Sequence, residues 1–441
     1  MRQQITALFA YCKKPGILNA NIIFISTSIL IFIALNLTVH SHTTAEVEKA
    51  HSFLPMMQNF IETWIREGYL KHGGLYYNGY DISRAGHPEP YYYNAGVTLL
   101  APYLLQKINY IVTGHSNISL LALSNQIIVM IGAIFIALLS WRMAEKSNPG
   151  NYNGNIAIAL SCLIVFQTFP QNIFFYWFPS PQSLFLIFFL PFLFFMDYFL
   201  SKQFINSKKS VVFLFALIFL MTLFERVASA LSIASLLIAM HFMDTESVKK
   251  KIIILASILA GFLVAISGLC QSVLAKCYHP GVEILGSGAI FRTGFDGSTR
   301  FYNTHWDLLF GRHPSMIYPT LGGLGDFLTW KALFIVGVVA VIFILYQQLK
   351  RPTTIFPILF SFFGTYILYA FIFSNAVVLH TDLYDVFIFA PIALSVFGIV
   401  PIYVFRYFKN NVWTIVSFLM AICYAAVQIR SYAITIPPPP A

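Results

Sequence analysis

Lys249-Lys250-Lys251-Ile252-Ile253-Ile254-Leu255-Ala256-Ser257-Ile258-Leu259-Ala260-Gly261-Phe262-Leu263-Val264-Ala265-Ile266 decides the fold. Three lysines abut a run without a charge, which continues to about residue 275. That is longer than the roughly 20 residues a helix needs to cross a bilayer core. Ten more apolar runs reach or approach that length: about 19–39, 118–140, 154–170, 180–200, 210–224, 227–243, 330–348, 354–373, 387–405 and 412–429. The pair 210–224 and 227–243 is short and nearly continuous, so a reentrant hairpin or one kinked helix fits it as well as two spans. With 58% hydrophobic and 10% charged residues, no polar stretch is long enough to build a soluble domain. The expected fold is an all-α polytopic membrane protein of about 11 transmembrane helices, one integral domain over residues 1–441.

The net charge of +10 invites a nucleic-acid reading, but its distribution argues for orientation instead. With the N-terminus in the cytoplasm and sides alternating, the inner segments hold Arg2, Lys13, Lys14, Arg142, Lys146, Lys202, Lys208, Lys209, Lys249, Lys250, Lys251, Lys350, Arg351, Arg406 and Lys409. Four acidic residues face them: Glu145, Asp197, Asp244 and Glu246. The inside thus carries +11 and the outside −1. Basic residues in every short inner loop are what the positive-inside rule requires. No nucleic-acid partner is needed to explain them.

Arg2, Lys13 and Lys14 precede the first span, and no small-residue cleavage site follows it. The expected element is a retained signal anchor. Cys12, Cys162, Cys270, Cys277 and Cys423 are scattered, with no CxxC, so neither a disulfide framework nor a thiolate metal site is indicated. No inner loop carries a phosphate-cradling P-loop, which argues against an ATP motor within this chain.

Three outer segments have substance: 40–117, 276–329 and 374–386, with a proline-rich outer tail at 431–441. In the first, Val47, Ala50, Leu54, Met57, Ile61 and Trp64 recur at three- and four-residue steps. The spacing predicts an amphipathic helix over Glu46–Glu67, capped by Thr43 or Thr44, ended by Gly68 and lying apolar face down on the membrane. Gly73-Gly74, Asn78-Gly79 and Gly86 mark a turn-rich section, and Val97–Val112 is a second amphipathic stretch. Residues 276–329 are rich in glycine and suit a binding loop or lid.

Outer-face carboxylates are natural general bases, because an attacking hydroxyl must lose its proton. Glu46 and Glu48 stand just outside the first span. Two residues apart on a helix, they point about 200° apart and act as alternatives more than as a pair. Both also suit the negative first turn of a helix. Arg292, Arg300 and Arg312 carry guanidinium forks that match phosphate oxygens, although Asp296 and Asp307 can simply balance them. His380, Asp382 and Asp385 offer ligands suited to Mg²⁺ or Mn²⁺, although three such residues within six positions also arise by chance. Glu225-Arg226, flanked by apolar runs, reads as functional or as a span-terminal ion pair. Tyr91-Tyr92-Tyr93 can stack on sugar rings or join an interfacial belt.

This layout resembles the integral-membrane glycosyltransferases of the C-type fold (GT-C), which take a sugar from a polyprenyl-phosphate carrier. Protein O-mannosyltransferases and lipid A aminoarabinose transferases belong to that family. The resemblance rests on Glu46-Val47-Glu48 after the first span, on Glu67-Gly68-Tyr69-Leu70, and on His87-Pro88-Glu89-Pro90-Tyr91 with Gly96-Val97-Thr98-Leu99-Leu100. A later segment, Tyr384-Asp385-Val386-Phe387-Ile388-Phe389-Ala390-Pro391, adds to it. The chain departs from the family in having no Asp-Asp or Asp-Glu pair, and in holding Asp385 where the family has a basic residue. The resemblance implies a catalytic base at Glu46 or Glu48 and substrate contacts from Glu89 and Tyr91. Phosphate binding would fall to Arg292, Arg300, Arg312 or His380.

The expected function is inverting sugar transfer from a polyprenyl-phosphate carrier to a hydroxyl on a glycan, lipid or protein acceptor. It would take place on the outer face of a bacterial inner membrane, with membrane lipids as surroundings. No cofactor is required by the sequence, and a divalent cation is compatible with it. The rival expectations are a transporter or flippase of a lipid-linked substrate, and a polysaccharide polymerase or ligase. A transporter predicts charges buried mid-span and related halves; the sequence shows no convincing internal repeat.

Overall fold

The computed structural model describes residues 15–38, 53–70, 76–77, 90–91, 100–169, 181–200, 208–243, 246–278, 339–340, 342–347, 353, 355–372, 394–408 and 411–435. These residues are almost wholly helical, as the apolar runs require. In chain order they form α1 (Pro15–Thr38), α2 (Phe53–Glu67), α3 (Leu100–Thr113), α4 (Ile118–Ser147), α5 (Tyr152–Gln167) and α6 (Pro181–Leu200). Then come α7 (Lys208–Phe224), α8 (Arg226–Phe242), α9 (Ser247–Tyr278), α10 (Ile355–Ile372), a π-helical turn Leu394–Ile399 running into α11 (Val400–Phe408), and α12 (Val412–Thr435). Of the run 330–348, the described residues are helical too. A two-residue antiparallel ladder, β1 (Tyr76–Tyr77) with β2 (Pro90–Tyr91), sits between α2 and α3.

Helix ends follow local chemistry. Gly68 closes α2 as its position predicts: at φ 101° it adopts the left-handed conformation and returns its N–H to Trp64 O at 3.0 Å. Gly150 turns α4 into α5 at φ 89°. Several helices outrun their apolar stretches, because backbone hydrogen bonding does not stop where apolarity does. Thus α4 continues to Ser147 and α9 to Tyr278. α12 reaches Thr435, so the first residues of the expected tail 431–441 belong to a helix.

Among the described residues, four helical segments are long and apolar enough to cross a membrane: Asn19–Thr38, Gln126–Ser147, Ser247–Ser267 and Val412–Arg430. The chain is therefore membrane-embedded. α5, α7 and α8, at 16, 17 and 17 residues, measure about 25 Å at 1.5 Å per residue. α5 is the hub, with Ile158, Ala159, Cys162, Leu163 and Val165 fully enclosed among α1, α4, α12 and the π turn. By contrast, α1, α9 and α12 present large apolar side chains outward, among them Leu30, Ile258, Phe262 and Leu419. Apolar all round and exposed on one side is the surface a helix offers to lipid.

Two sets of polar groups inside the bundle pair across helices, where hydrocarbon would offer no partner. Ser28 Oγ donates to Gln167 Oε1 at 2.9 Å, and Gln167 Nε2 donates back to Ser28 O at 3.0 Å, joining α1 to α5. Between α8 and α10, the Ser232 and Thr365 hydroxyls meet at 2.7 Å, and Ser361 Oγ donates to Ser232 O at 3.0 Å. Small residues here let the two backbones approach closely.

The ambiguous pair 210–224 and 227–243 is two helices divided at Glu225. The Glu225 N–H ends the α7 ladder on Met221 O, and Ser229 N–H starts the α8 ladder on Glu225 O, both at 3.0 Å. Glu225 itself is extended, at φ −145° and ψ 94°. Across it the Thr222 and Ser229 hydroxyls lie 3.0 Å apart, which a straight helix would keep about two turns apart. α7 then packs on α6 and α9, while α8 packs on α10.

One sequence expectation needs correction. α2 is amphipathic, but Phe60, Ile61 and Trp64 are buried against protein, on α3 and α4, and not left for lipid. A helical stripe of apolar residues reports that a partner exists, not which partner. It is α3 that exposes an apolar face, with Leu104, Ile108, Ile111 and Val112.

Candidate functional site

The described helices between α1 and α4 form a clamp on one end of α4. Gln58, Glu62 and Arg66 follow at four-residue steps and so share one face of α2. Gln58 Nε2 donates to Glu62 Oε1 at 3.2 Å. Gln106, on the buried face of α3, donates from Nε2 to Gln58 Oε1 at 2.9 Å and to Asn117 O at 2.5 Å. Its Oε1 accepts the Asn117 N–H at 2.7 Å. One fully enclosed amide thus links α2, α3 and the turn into α4.

Glu62 is the hub carboxylate of this clamp. Its Oε1 also accepts a short hydrogen bond from Ser116 Oγ. Arg66 Nη2 stands 3.6 Å from its Oε2 but is largely exposed, so that pair contributes little. Beside it, Trp64 packs edge-on against Tyr69 and Tyr103, with ring centroids 5.0 and 5.9 Å away, and the two tyrosines stack at 5.5 Å. Burial raises the Tyr69 phenol pKa above its usual 10.0, with Tyr103 adding to the effect. The phenol is therefore a neutral hydrogen-bonding group in the working pH range.

Of the residues singled out from sequence, Tyr91 is described as backbone. It pairs with Tyr76, and Pro90 with Tyr77, in the small ladder. Glu46, Glu48, Glu89, Arg292, Arg300, Arg312, His380, Asp382 and Asp385 lie outside the described residues. Glu225 and Arg226 are described and occupy different environments: Glu225 is 1% exposed, whereas Arg226 is exposed.

Two groupings went unforeseen. Glu62 was passed over, although the four-residue spacing of Gln58, Glu62 and Arg66 was its available signal. The other lies at the far end of α4. There the carboxylate of Asp197 on α6, fully enclosed, receives Arg142 Nε at 2.5 Å and Lys146 Nζ at 2.6 and 2.8 Å. The Arg142 guanidinium lies over the Phe194 and Tyr198 rings at 5.3 and 5.5 Å. Charge counting grouped these three ionisable residues on one side of the membrane without revealing that they touch.

No protein-family model matches the chain, and no curated protein matches it either.

Proposed function

We propose that this chain is an inverting glycosyltransferase of the GT-C type, taking sugar from a polyprenyl-phosphate carrier. The observation that carries the reading is the acidic pair Glu46 and Glu48 in the segment between α1 and α2. Support also comes from the clamp that follows. Phe53, where α2 begins, stands five positions after Glu48, and the Gln58–Gln106 pair fastens that helix to the bundle. A base needs such a fixed anchor to stay within reach of its substrate.

In this reading about 11 spans place the N-terminus in the cytoplasm and the first segment outside a bacterial inner membrane. The carrier enters from the bilayer, with Arg292, Arg300, Arg312 or His380 on its phosphate and Glu89 and Tyr91 on the sugar. Glu48 or Glu46 takes the proton from the acceptor hydroxyl. The hydroxyl oxygen bonds to the anomeric carbon as that carbon's bond to the phosphate oxygen breaks, and the polyprenyl phosphate leaves. A divalent cation on His380, Asp382 and Asp385 is compatible with the leaving-group charge. Mass spectrometry of surface glycans and glycoproteins from a deletion strain tests the reading. A missing sugar or linkage supports it, and an unchanged profile removes it.

A second reading has its own observation. Short helices broken at a buried carboxylate, as α7 and α8 are at Glu225, are a feature of transporters with discontinuous helices. On that reading, Glu225→Gln abolishes movement of a lipid-linked substrate in liposomes. Unchanged movement, or none in the unmodified protein, dismisses it.

A further inference from the structure

The end of α4 that carries Arg142 and Lys146 is organised beyond what an ion pair needs. Asp197 holds two cations of α4, Arg142 and Lys146, with Glu145 between them in the sequence. The geometry divides the work between the two cations. Arg142 spends Nε on Asp197, and its guanidinium carbon lies 5.3 and 5.5 Å from the Phe194 and Tyr198 rings. Among the described residues, its two Nη groups make no hydrogen bond. Those are the paired donors that match two oxygens of a phosphate. Lys146, one helical turn on, is 42% exposed and adds a point charge beside the fork. Lys249, at the start of α9, lies 6.0 Å from the Phe199 ring on the same end of α6 and is 3.8 Å from the Glu246 carboxylate.

The surroundings select the kind of phosphate. From this corner an apolar surface runs outward along the neighbouring helices. Tyr198 is partly exposed, Phe213 of α7 packs on Phe195 at 5.2 Å with its other side open, and Val212, Leu255 and Ile258 are exposed beyond it. A soluble phosphate has no use for that surface, whereas acyl chains do.

We infer that the α4–α6 corner is a binding site for an anionic phospholipid, its phosphate on Arg142 Nη and Lys146 and its chains against the open faces of α7 and α9. Basic pockets between helix ends are where anionic headgroups are recognised in membrane proteins generally. The inference is independent of the glycosyltransferase reading, since it uses the opposite end of α4 from the clamp.

Native mass spectrometry of the full chain, supplied with phosphatidylglycerol or phosphatidylcholine, tests it. The measurement is made at about 0.5 M salt, where exposed charges are screened within a few ångströms. The expected result is preferential retention of phosphatidylglycerol. Lys146→Gln should weaken that retention about fivefold, whereas Lys107→Gln, on the exposed face of α3 at the other end of α4, leaves it unchanged. Equal retention of both lipids by the unmodified protein overturns the inference and needs no variant to do so. So does an equal loss in the two variants, which would report general attraction to a basic surface. Equal thermal stabilisation by inorganic phosphate alone would assign the site to a soluble ligand and overturn the lipid.

Discussion

Gln106 Nε2 lies 2.9 Å from Gln58 Oε1, and through this bond the surface helices α2 and α3 act as one unit. Gln106 is fully enclosed and also serves both the N–H and the carbonyl of Asn117. Gln106→Met keeps its size but strands these partners. Leaving a buried polar group unsatisfied costs about 1–3 kcal/mol, so the clamp should loosen before the bundle does. Hydrogen exchange should rise in residues 53–70 and 100–113 and stay unchanged in α5. Equal exchange throughout would contradict the role given to Gln106.

Asp197→Asn should be costly through one partner more than the other. Lys146 is half exposed and can turn to water; Arg142, at 14% exposed, keeps most of its side chain inside. Breaking a buried pair by removing one member costs about 3–5 kcal/mol. Thermal unfolding in detergent should show a loss of that order, with Arg142→Met in the same background recovering part of it. A variant as stable as the parent would show that the pair contributes nothing.

Gly364 permits the closest approach of α10 to α8. A Cβ built there would fall 2.8 Å from the Cβ of Ser235, closer than carbon atoms tolerate. Gly364→Ala should therefore destabilise by about 1–3 kcal/mol through overpacking. The obstruction includes the Ser235 Cβ as well as its hydroxyl. Hence Ser235→Gly should relieve Gly364→Ala, and Ser235→Ala should not. Equal relief by both, measured as thermal midpoints, would refute this geometry.

The Tyr69 phenol, raised above 10.0 by burial, makes the clamp sensitive to alkali. Its stabilisation is fully present below the unfolded pKa of 10.0. As pH rises past that value, the unfolded state loses the proton first, so stability falls through the interval up to the folded pKa. The 295 nm absorbance of the parent minus that of Tyr69→Phe should titrate above pH 10.0. Titration of that difference at or below 10.0 would show the phenol to be open to water.

Much of the fold was legible because apolar length is a strong signal. The described parts of the apolar runs are helical apart from a few run-end residues such as Thr168, Phe169 and Met243, and even the shortness of 210–224 and 227–243 foreshadowed the break at Glu225. What periodicity could not show was the partner of an apolar face. The stripe Ile61 and Trp64 looked ready for lipid and is buried by α3 and α4. Nor could spacing along one helix reveal Gln106, whose bonds run to residues 48 positions before and 11 after it. Charge counting put Asp197 with Arg142 and Lys146 but could not pair them, since a contact between α4 and α6 depends on packing that no single helix encodes. The proposed site was legible only as chemistry: Glu46 and Glu48, the base of the proposal, lie outside the described residues.

The central claim is that an outer carboxylate drives sugar transfer from a lipid carrier. Its most direct test is transfer of labelled sugar from polyprenyl phosphate to an acceptor by the purified chain in liposomes, beside Glu46→Gln and Glu48→Gln. The account predicts transfer with inverted anomeric configuration, and a fall of about 10²–10⁴-fold in one of the two variants. Full activity in both variants, or labelled carrier that crosses the bilayer with its sugar still attached, would contradict it.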